Sequence, residues 1–280
     1  MKTRLPVALL IFAVATLACG GTIALPEAAT AGPTIVDQVS VSAPSAGTSR
    51  LTISFGAGEL SLAPGASSLL EGTAEYNVPQ LQPEVLQDGA NVEIKQGDLL
   101  SFLEPRGVRN VWDFKLGASP MELAVNAGAY QGDFELGGLA LSGLTVKDGA
   151  ASVKLSFSRP NQSAMPVFRY ETGASKVEMK GLANANFSTM ILNSGAGDYT
   201  LDFTGDLRRD ATITITTGLS NLALIVPEGT PATVTAETGF SNISAGSSWT
   251  QDGNRYTQSG SGPALTFVIK GGAGNLTLGD

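Results

Sequence analysis

Apolar side chains recur along this chain in short alternating runs on either side of a glycine. Around Gly195, Met190 and Leu192 lie five and three positions before it, and Tyr199 and Leu201 four and six after it. The same five-point pattern holds at Gly56 (Leu51, Ile53; Leu60, Leu62), Gly117 (Trp112, Phe114; Met121, Leu123), Gly149 (Leu144, Val146; Val153, Leu155) and Gly173 (Phe168, Tyr170; Val177, Met179). It holds again at Gly218 (Ile213, Ile215; Leu222, Leu224), Gly239 (Val234, Ala236; Ile243, Ala245) and Gly272 (Phe267, Ile269; Leu276, Leu278). From Gly149 to Gly239 the steps are 24, 22, 23 and 21 residues. Alternation with period two marks strands that bury one face. The inner position before the glycine and the inner position after it are an odd number of residues apart, so a straight strand would send them to opposite faces. The chain must turn at the glycine, which we read as supplying the bend through its tolerance of positive φ.

One such unit cannot stand alone. Four buried apolar side chains contribute roughly 6–12 kcal/mol, whereas ordering ~22 backbone residues costs ~1–2 kcal/mol each. Stacking of successive units is therefore required. The pattern predicts an all-β chain, a single-stranded β-helix (β-solenoid) of ~22-residue coils. A β-sandwich is the alternative, but it gives no reason for the same glycine corner to recur. No segment shows helical periodicity; Pro79 and Pro83 interrupt the best stretch, and Asp88-Gly89 marks a turn after it. Residues 63–111 carry no glycine-centred unit, although Asn91–Lys95 alternates like a strand. Residues 246–262 lengthen the last coil, and Trp249 and Tyr256 flank Asp252-Gly253-Asn254, a hairpin signal. The two aromatics form either a binding tip or a cover for the end of the core; solenoid ends need capping.

The N-terminus carries an address. Lys2 and Arg4 precede a 14-residue apolar run, Leu5–Ala18, broken only by Pro6 and Thr16. A bilayer span needs ~20 residues, so this is the core of a signal peptide. It ends at Ala15-Thr16-Leu17-Ala18-Cys19-Gly20-Gly21, which resembles a bacterial lipobox, although Thr16 stands where Leu is usual. Cys19 is the sole Cys of the chain and is the expected lipidation site, with membrane lipid as its partner. The alternative is plain secretion, with Ala29-Thr30-Ala31 as the cleavage site. The expected organisation is a signal peptide over 1–18, a Gly-, Ala- and Pro-rich tether over 19–34, an N-terminal region over 35–111, and a C-terminal solenoid over 112–280.

Composition narrows the chemistry. The 280 residues include no His and one Cys, which removes His-based triads, His metal sites, an internal disulfide and a Cys zinc site. With 17 basic against 25 acidic residues, a nucleic-acid surface is not expected. Loss of residues 1–18 leaves a net charge of −10, so lipid and not charge would hold the chain on an anionic membrane. Asp198, Asp202, Asp206 and Asp210 recur every four residues beside Arg208 and Arg209. A calcium ion needs six or more converging oxygens, and carboxylates strung along a strand and a turn read instead as a solvated face. The glycines are strand corners with no Gly-Lys-Ser/Thr, hence no phosphate loop. No Ser-x-x-Lys is present. No catalytic residue, cofactor or metal site is expected.

The Gly-Ala-Gly/Ser corners, the segment Phe55-Gly56-Ala57-Gly58-Glu59-Leu60-Ser61-Leu62 with Leu70-Glu71-Gly72, and Gly181–Phe187 resemble the bacterial toast-rack proteins. These include the domain related to the C-terminal region of cell-wall-active-antibiotic response proteins. The resemblance covers roughly 48–280. It implies a right-handed β-helix in an envelope protein and no catalytic residues. The resulting expectation is a non-catalytic envelope lipoprotein, anchored on the outer side of the cytoplasmic membrane, that binds a wall polymer, lipid or protein. The alternatives are a regulator of an envelope-stress system and a polysaccharide-acting enzyme.

Overall fold

A computed structural model describes residues 31–44, 47–97 and 107–280. The strands are β1 (Ile35–Val41), β2 (Ser49–Ala66), β3 (Leu70–Tyr76), β4 (Pro83–Asp88), β5 (Asn91–Gln96), β6 (Asn110–Gly117), β7 (Met121–Glu135) and β8 (Leu141–Ser156). They continue with β9 (Met165–Lys180), β10 (Phe187–Asp202), β11 (Ala211–Ile225), β12 (Ala232–Thr238), β13 (Asn242–Ala245), β14 (Trp249–Asp252), β15 (Arg255–Gln258) and β16 (Leu265–Gly279). All belong to one sheet. Long strands stack in parallel and in register, as in Met190↔Ile213↔Phe267 and Tyr199↔Leu222↔Leu276. The architecture is the β-solenoid and not the sandwich.

Each long strand is bent into two arms, and both arms bury their apolar set. In β11, Ile213, Ile215, Leu222 and Leu224 are all buried. The second arm of one coil must return to the first arm of the next, so the links close the open side of the bend. They add Phe157, Leu182, Ala185 and Phe203 to the same core. The expected division at 111/112 falls inside β6, which pairs with β2 along its whole second arm (Leu60↔Trp112, Leu62↔Phe114).

The corners correct the expected role of glycine. None of Gly56, Gly149, Gly173, Gly195, Gly218, Gly239 and Gly272 has positive φ. Instead they form a column. A Cβ on Gly149, Gly173, Gly195, Gly218 or Gly272 would stand 2.5–3.1 Å from the carbonyl oxygen of the corner glycine in the adjoining coil. Close approach of coils, not backbone freedom, demands glycine. Positive φ falls two residues later, at Gly58, Gly197 and Gly274.

Gly117 is not a corner. It ends β6, where a Cβ would run into the Ser68 carbonyl. Its preceding Trp112 and Phe114 belong to a second arm, while Met121 and Leu123 align with the first-arm residues of β2. The missed corner is Gly128, whose Cβ would meet the Gly56 carbonyl. There the fourth position onward is Gly132, and the Tyr130 ring occupies the space its side chain would take.

Stacking order departs from chain order at both ends. The first arm of β2 lies between β5 and β7, and its second arm between β6 and β7. Likewise β16 lies between β11 and β12. The broken coils β5–β6 and β12–β13 are therefore outermost. Antiparallel strands extend them: β4 on β5, β3 and then β1 on β6, and β15 and β14 on β12.

Candidate functional site

Outward side chains of the first arms form a shallow trough over β2, β7, β8 and β9. Its 390 Å³ is floored by Thr52, Ala124, Gly143 and Thr145 and walled by Arg50 and Glu122 on one side and Pro166 and Val167 on the other. Small floor residues between taller neighbours make the depression, because the sheet backbone beneath is continuous. Arg50 Nε donates to Glu122 across the coils at 3.1 Å, an exposed pair. Beyond Arg50 and Thr52 a second hollow of 450 Å³ continues along β5 to Leu86, Gln87 and Asp88. Leu86 and Val167 are large apolar side chains that remain exposed.

A polar cluster lies at the corner below this face. Asp148 precedes Gly149 and is buried. Its carboxylate accepts from Tyr170 Oη at 2.7 Å, from Ser175 Oγ at 3.2 Å, and from Thr172 Oγ1. Ser175 Oγ in turn accepts the Ala151 amide at 2.9 Å. Burial pushes the Tyr170 phenol well above its usual range, with nearby Tyr130 and Asp148 adding to the effect. Burial likewise raises Tyr130, helped by the Asp148 charge. Both phenols are thus neutral at physiological pH, and Tyr170 is the one that donates to Asp148. A similar hydroxyl pair recurs two coils on, where Thr217 meets Ser220 at 2.6 Å and Ser194 donates to Thr217 at 2.9 Å. At the surface, Lys147, Glu171, Asn193 and Ser194 surround a wide dent over Asp148 and Thr172.

The carboxylates predicted at four-residue spacing are not brought together. Asp198 accepts from Asn221, Asp202 from the Thr204 amide, and Asp210 from the Ala264 amide, while Asp206 pairs with Arg208. Each fixes a turn or a rung. Trp249 and Tyr256 lie in the core, 8% and 4% exposed, so they cover the end of the stack and present no tip. Cys19 lies outside the described residues. No helix among the described residues is long and apolar enough to cross a membrane.

Two features escape the five-point pattern. The inner corner row, one residue before and two after each glycine, holds polar residues that hydrophobic alternation overlooks: Asp148, Thr172, Ser175, Thr217 and Ser220. The outer face also carries a threonine row, Thr189↔Thr212↔Thr266↔Thr233↔Thr257↔Thr250, in register across six strands. Periodicity along the chain does not show that these threonines align in one row.

Residues 30–178 match the family described as the N-terminal domain of toast_rack, DUF2154. Every residue of the trough and its continuation lies within that span. No curated protein matches the chain. Among solved structures, a candidate cell adhesion protein from Clostridium sporogenes ATCC 15579 is similar over 88% of this chain and 99% of its own, at 18% identity and a TM-score of 0.50. A candidate adhesin from Bacteroides fragilis NCTC 9343 matches over 88% and 97%, at 8% identity and a TM-score of 0.36. A candidate lipid-binding protein from Parabacteroides distasonis ATCC 8503 matches over the same shares, at 10% identity and a TM-score of 0.36.

Proposed function

The chain belongs to the toast-rack family through its N-terminal domain, and from that premise we propose that it is a non-catalytic binding module of the bacterial envelope. In this reading Cys19 carries a lipid after residues 1–18 are removed, and the solenoid is displayed on the outer side of the cytoplasmic membrane. The observation that supports a binding role is the trough on the first-arm face. It is long, shallow and floored by small residues, with an ion pair along one wall and apolar side chains along the other. Such a shape takes an extended polymer or segment laid across the coils, not a small molecule enclosed for chemistry. The name of the Clostridium sporogenes structure agrees with adhesion but contributes only a likeness of fold.

Two experiments test the two halves of the reading. Incorporation of a palmitate analogue should be lost in Cys19→Ala; equal label in both proteins overturns the anchor. Co-sedimentation with purified cell-wall sacculi should fall strongly in Gly143→Phe, which fills the trough floor where a Cβ has room. Unchanged sedimentation of a folded Gly143→Phe protein removes the trough from the account.

A further inference from the structure

The N-terminal cap ends in two sheet edges, and only one of them is guarded. Edge strands offer unpaired backbone groups, which proteins usually blunt with charge, proline or brevity. Strand β4 has all three of Pro83, Glu84 and Asp88 in six residues. At the other end, β13 and β14 are four residues each. Strand β1 has no proline and a single charge in seven residues. It runs Ile35-Val36-Asp37-Gln38-Val39-Ser40-Val41, with four β-branched aliphatics and no Pro, Gly or Lys. Ile35 and Val36 are 41% and 52% exposed. Its single charge is already held by the molecule: Asp37 accepts from Tyr76 Oη at 2.7 Å and Gln82 Nε2 at 3.0 Å. One side of β1 pairs with β3, and among the described residues it is the last strand of the sheet on the other.

We propose that this edge is an interaction site and that it takes β1 of a second copy, antiparallel, on a two-fold axis through Gln38. The strand is self-complementary in that register. Ile35 falls opposite Val41 of the partner, Val36 opposite Ser40, Asp37 opposite Val39, and Gln38 opposite Gln38. Opposed residues share parity, so the buried faces of both copies lie on one side of the joined sheet. The exposed Ile35 is thereby laid beside Val41, and no like charges face each other. Main-chain hydrogen bonds hold the pair, as in other strand additions.

One seven-residue edge is a small interface, and the net charge of −8 opposes pairing. Pairing should therefore strengthen with added salt and wherever copies are concentrated. Lipid on Cys19 would concentrate them, and this is the one respect in which the inference rests on the proposed anchor. Testing in a Cys19→Ser background, in concentrated solution, separates the two: the register must appear there whether or not the native chain is lipidated.

In that background the full chain is given one cysteine at a time and oxidised. Directly opposed antiparallel residues have Cα atoms ~4.5–5.5 Å apart, within disulfide reach. Gln38→Cys should form a covalent dimer about tenfold more readily than Val36→Cys or Ser40→Cys alone, given that geometry. A mixture of Val36→Cys and Ser40→Cys should form the heterodimer. Gln38→Lys should abolish pairing with itself and recover it when mixed with Gln38→Glu, because residue 38 is exposed and either change leaves the fold alone. No dimer at high concentration, equal yields at all three positions, or capture of a different protein by Gln38→Cys in cells would each overturn the proposal.

Discussion

At the N-terminal end β2 lies one place in from the end, beneath a broken coil made of β5 and β6; at the C-terminal end β16 lies one place in, beneath a broken coil made of β12 and β13. An outermost coil has one neighbour and frays. Setting the first and last long strands inside gives each two neighbours and makes the chain hold its own cap from both sides. The ends then diverge. The C-terminal cap adds only the short hairpin β14–β15 on the first arm, sealed by Trp249 and Tyr256. The N-terminal cap adds β4 on one arm and β3 with β1 on the other, and leaves two longer edges. Shared topology secures the stack, and the difference decides where it can grow: one end is blunted and the other can accept a strand.

The largest expected effect comes from charging an inset strand. Ile53 in β2 and Ile269 in β16 are fully buried, Ile53 between Ile94 and Val125 and Ile269 between Ile215 and Ala236. Ile53→Asp and Ile269→Asp each leave a carboxylate without a partner and lose core volume. Each should cost several kcal/mol and abolish cooperative unfolding despite its nearness to a terminus. Thr214→Asp, outward between buried Ile213 and Ile215, should stay within about 1 kcal/mol in a urea titration. If either inset variant behaved like Thr214→Asp, that end would be fraying and the comparison would fail.

A smaller effect distinguishes the ends at their corner glycines. A Cβ on Gly239 would run into the Gly272 backbone carbonyl, whereas on Gly56 it would meet the movable Gln96 side chain at 2.8 Å. Gly239→Ala should therefore destabilise by about 1–3 kcal/mol. Gly56→Ala should cost less, chiefly through the Gln96 Oε1 contact with the Gly56 amide. Equal losses would mean that coil spacing at the two ends is the same.

Smallest is the response to alkali. Burial, with the hydrogen bond to Asp37, pushes the Tyr76 phenol up to about 12 from 10.0. A raised folded-state pKa means that its stabilisation is intact below pH 10 and is lost as pH rises through 12. The protection factor of the β1 amides, exchange corrected for its base catalysis, should fall across that window, and Tyr76→Phe should remove this fall. A protection factor that stays constant to pH 12 would detach Tyr76 from the hold on β1.

What was legible in the sequence follows from what alternation encodes. At Gly56, Gly149, Gly173, Gly195, Gly218 and Gly272 the positions five and three before and four and six after point inward in one bent strand, so those arms and corners could be read directly; at Gly239 the strand is broken between β12 and β13, and Ala245 is exposed. Gly128 was hidden because Gly132 leaves a gap in its apolar set that Tyr130 fills from two residues earlier. Gly117 satisfied the pattern because Trp112 and Phe114 end a broken coil just before Met121 and Leu123 begin a whole one. Polar inner residues such as Asp148 and Thr172 complete the alternation geometrically but not in hydropathy. The trough was not legible, since Thr52, Ala124 and Gly143 acquire meaning only when three coils are laid side by side. Stacking order was equally hidden: periodicity shows that coils repeat, not which coil lies next to which.

That order is the central claim, and paired cysteines test it most directly. Thr216, Lys270 and Glu237 all face outward, and β16 places Lys270 opposite both of the others. In a Cys19→Ser background, Thr216→Cys with Lys270→Cys should crosslink, and so should Glu237→Cys with Lys270→Cys, because aligned neighbours in a sheet fall within disulfide reach. Thr216→Cys with Glu237→Cys should not, since a whole strand separates them. A solenoid stacked in chain order would give the reverse for that last pair. A disulfide between positions 216 and 237, with none between 216 and 270, would contradict the insertion of β16 and with it this account of how the stack is closed.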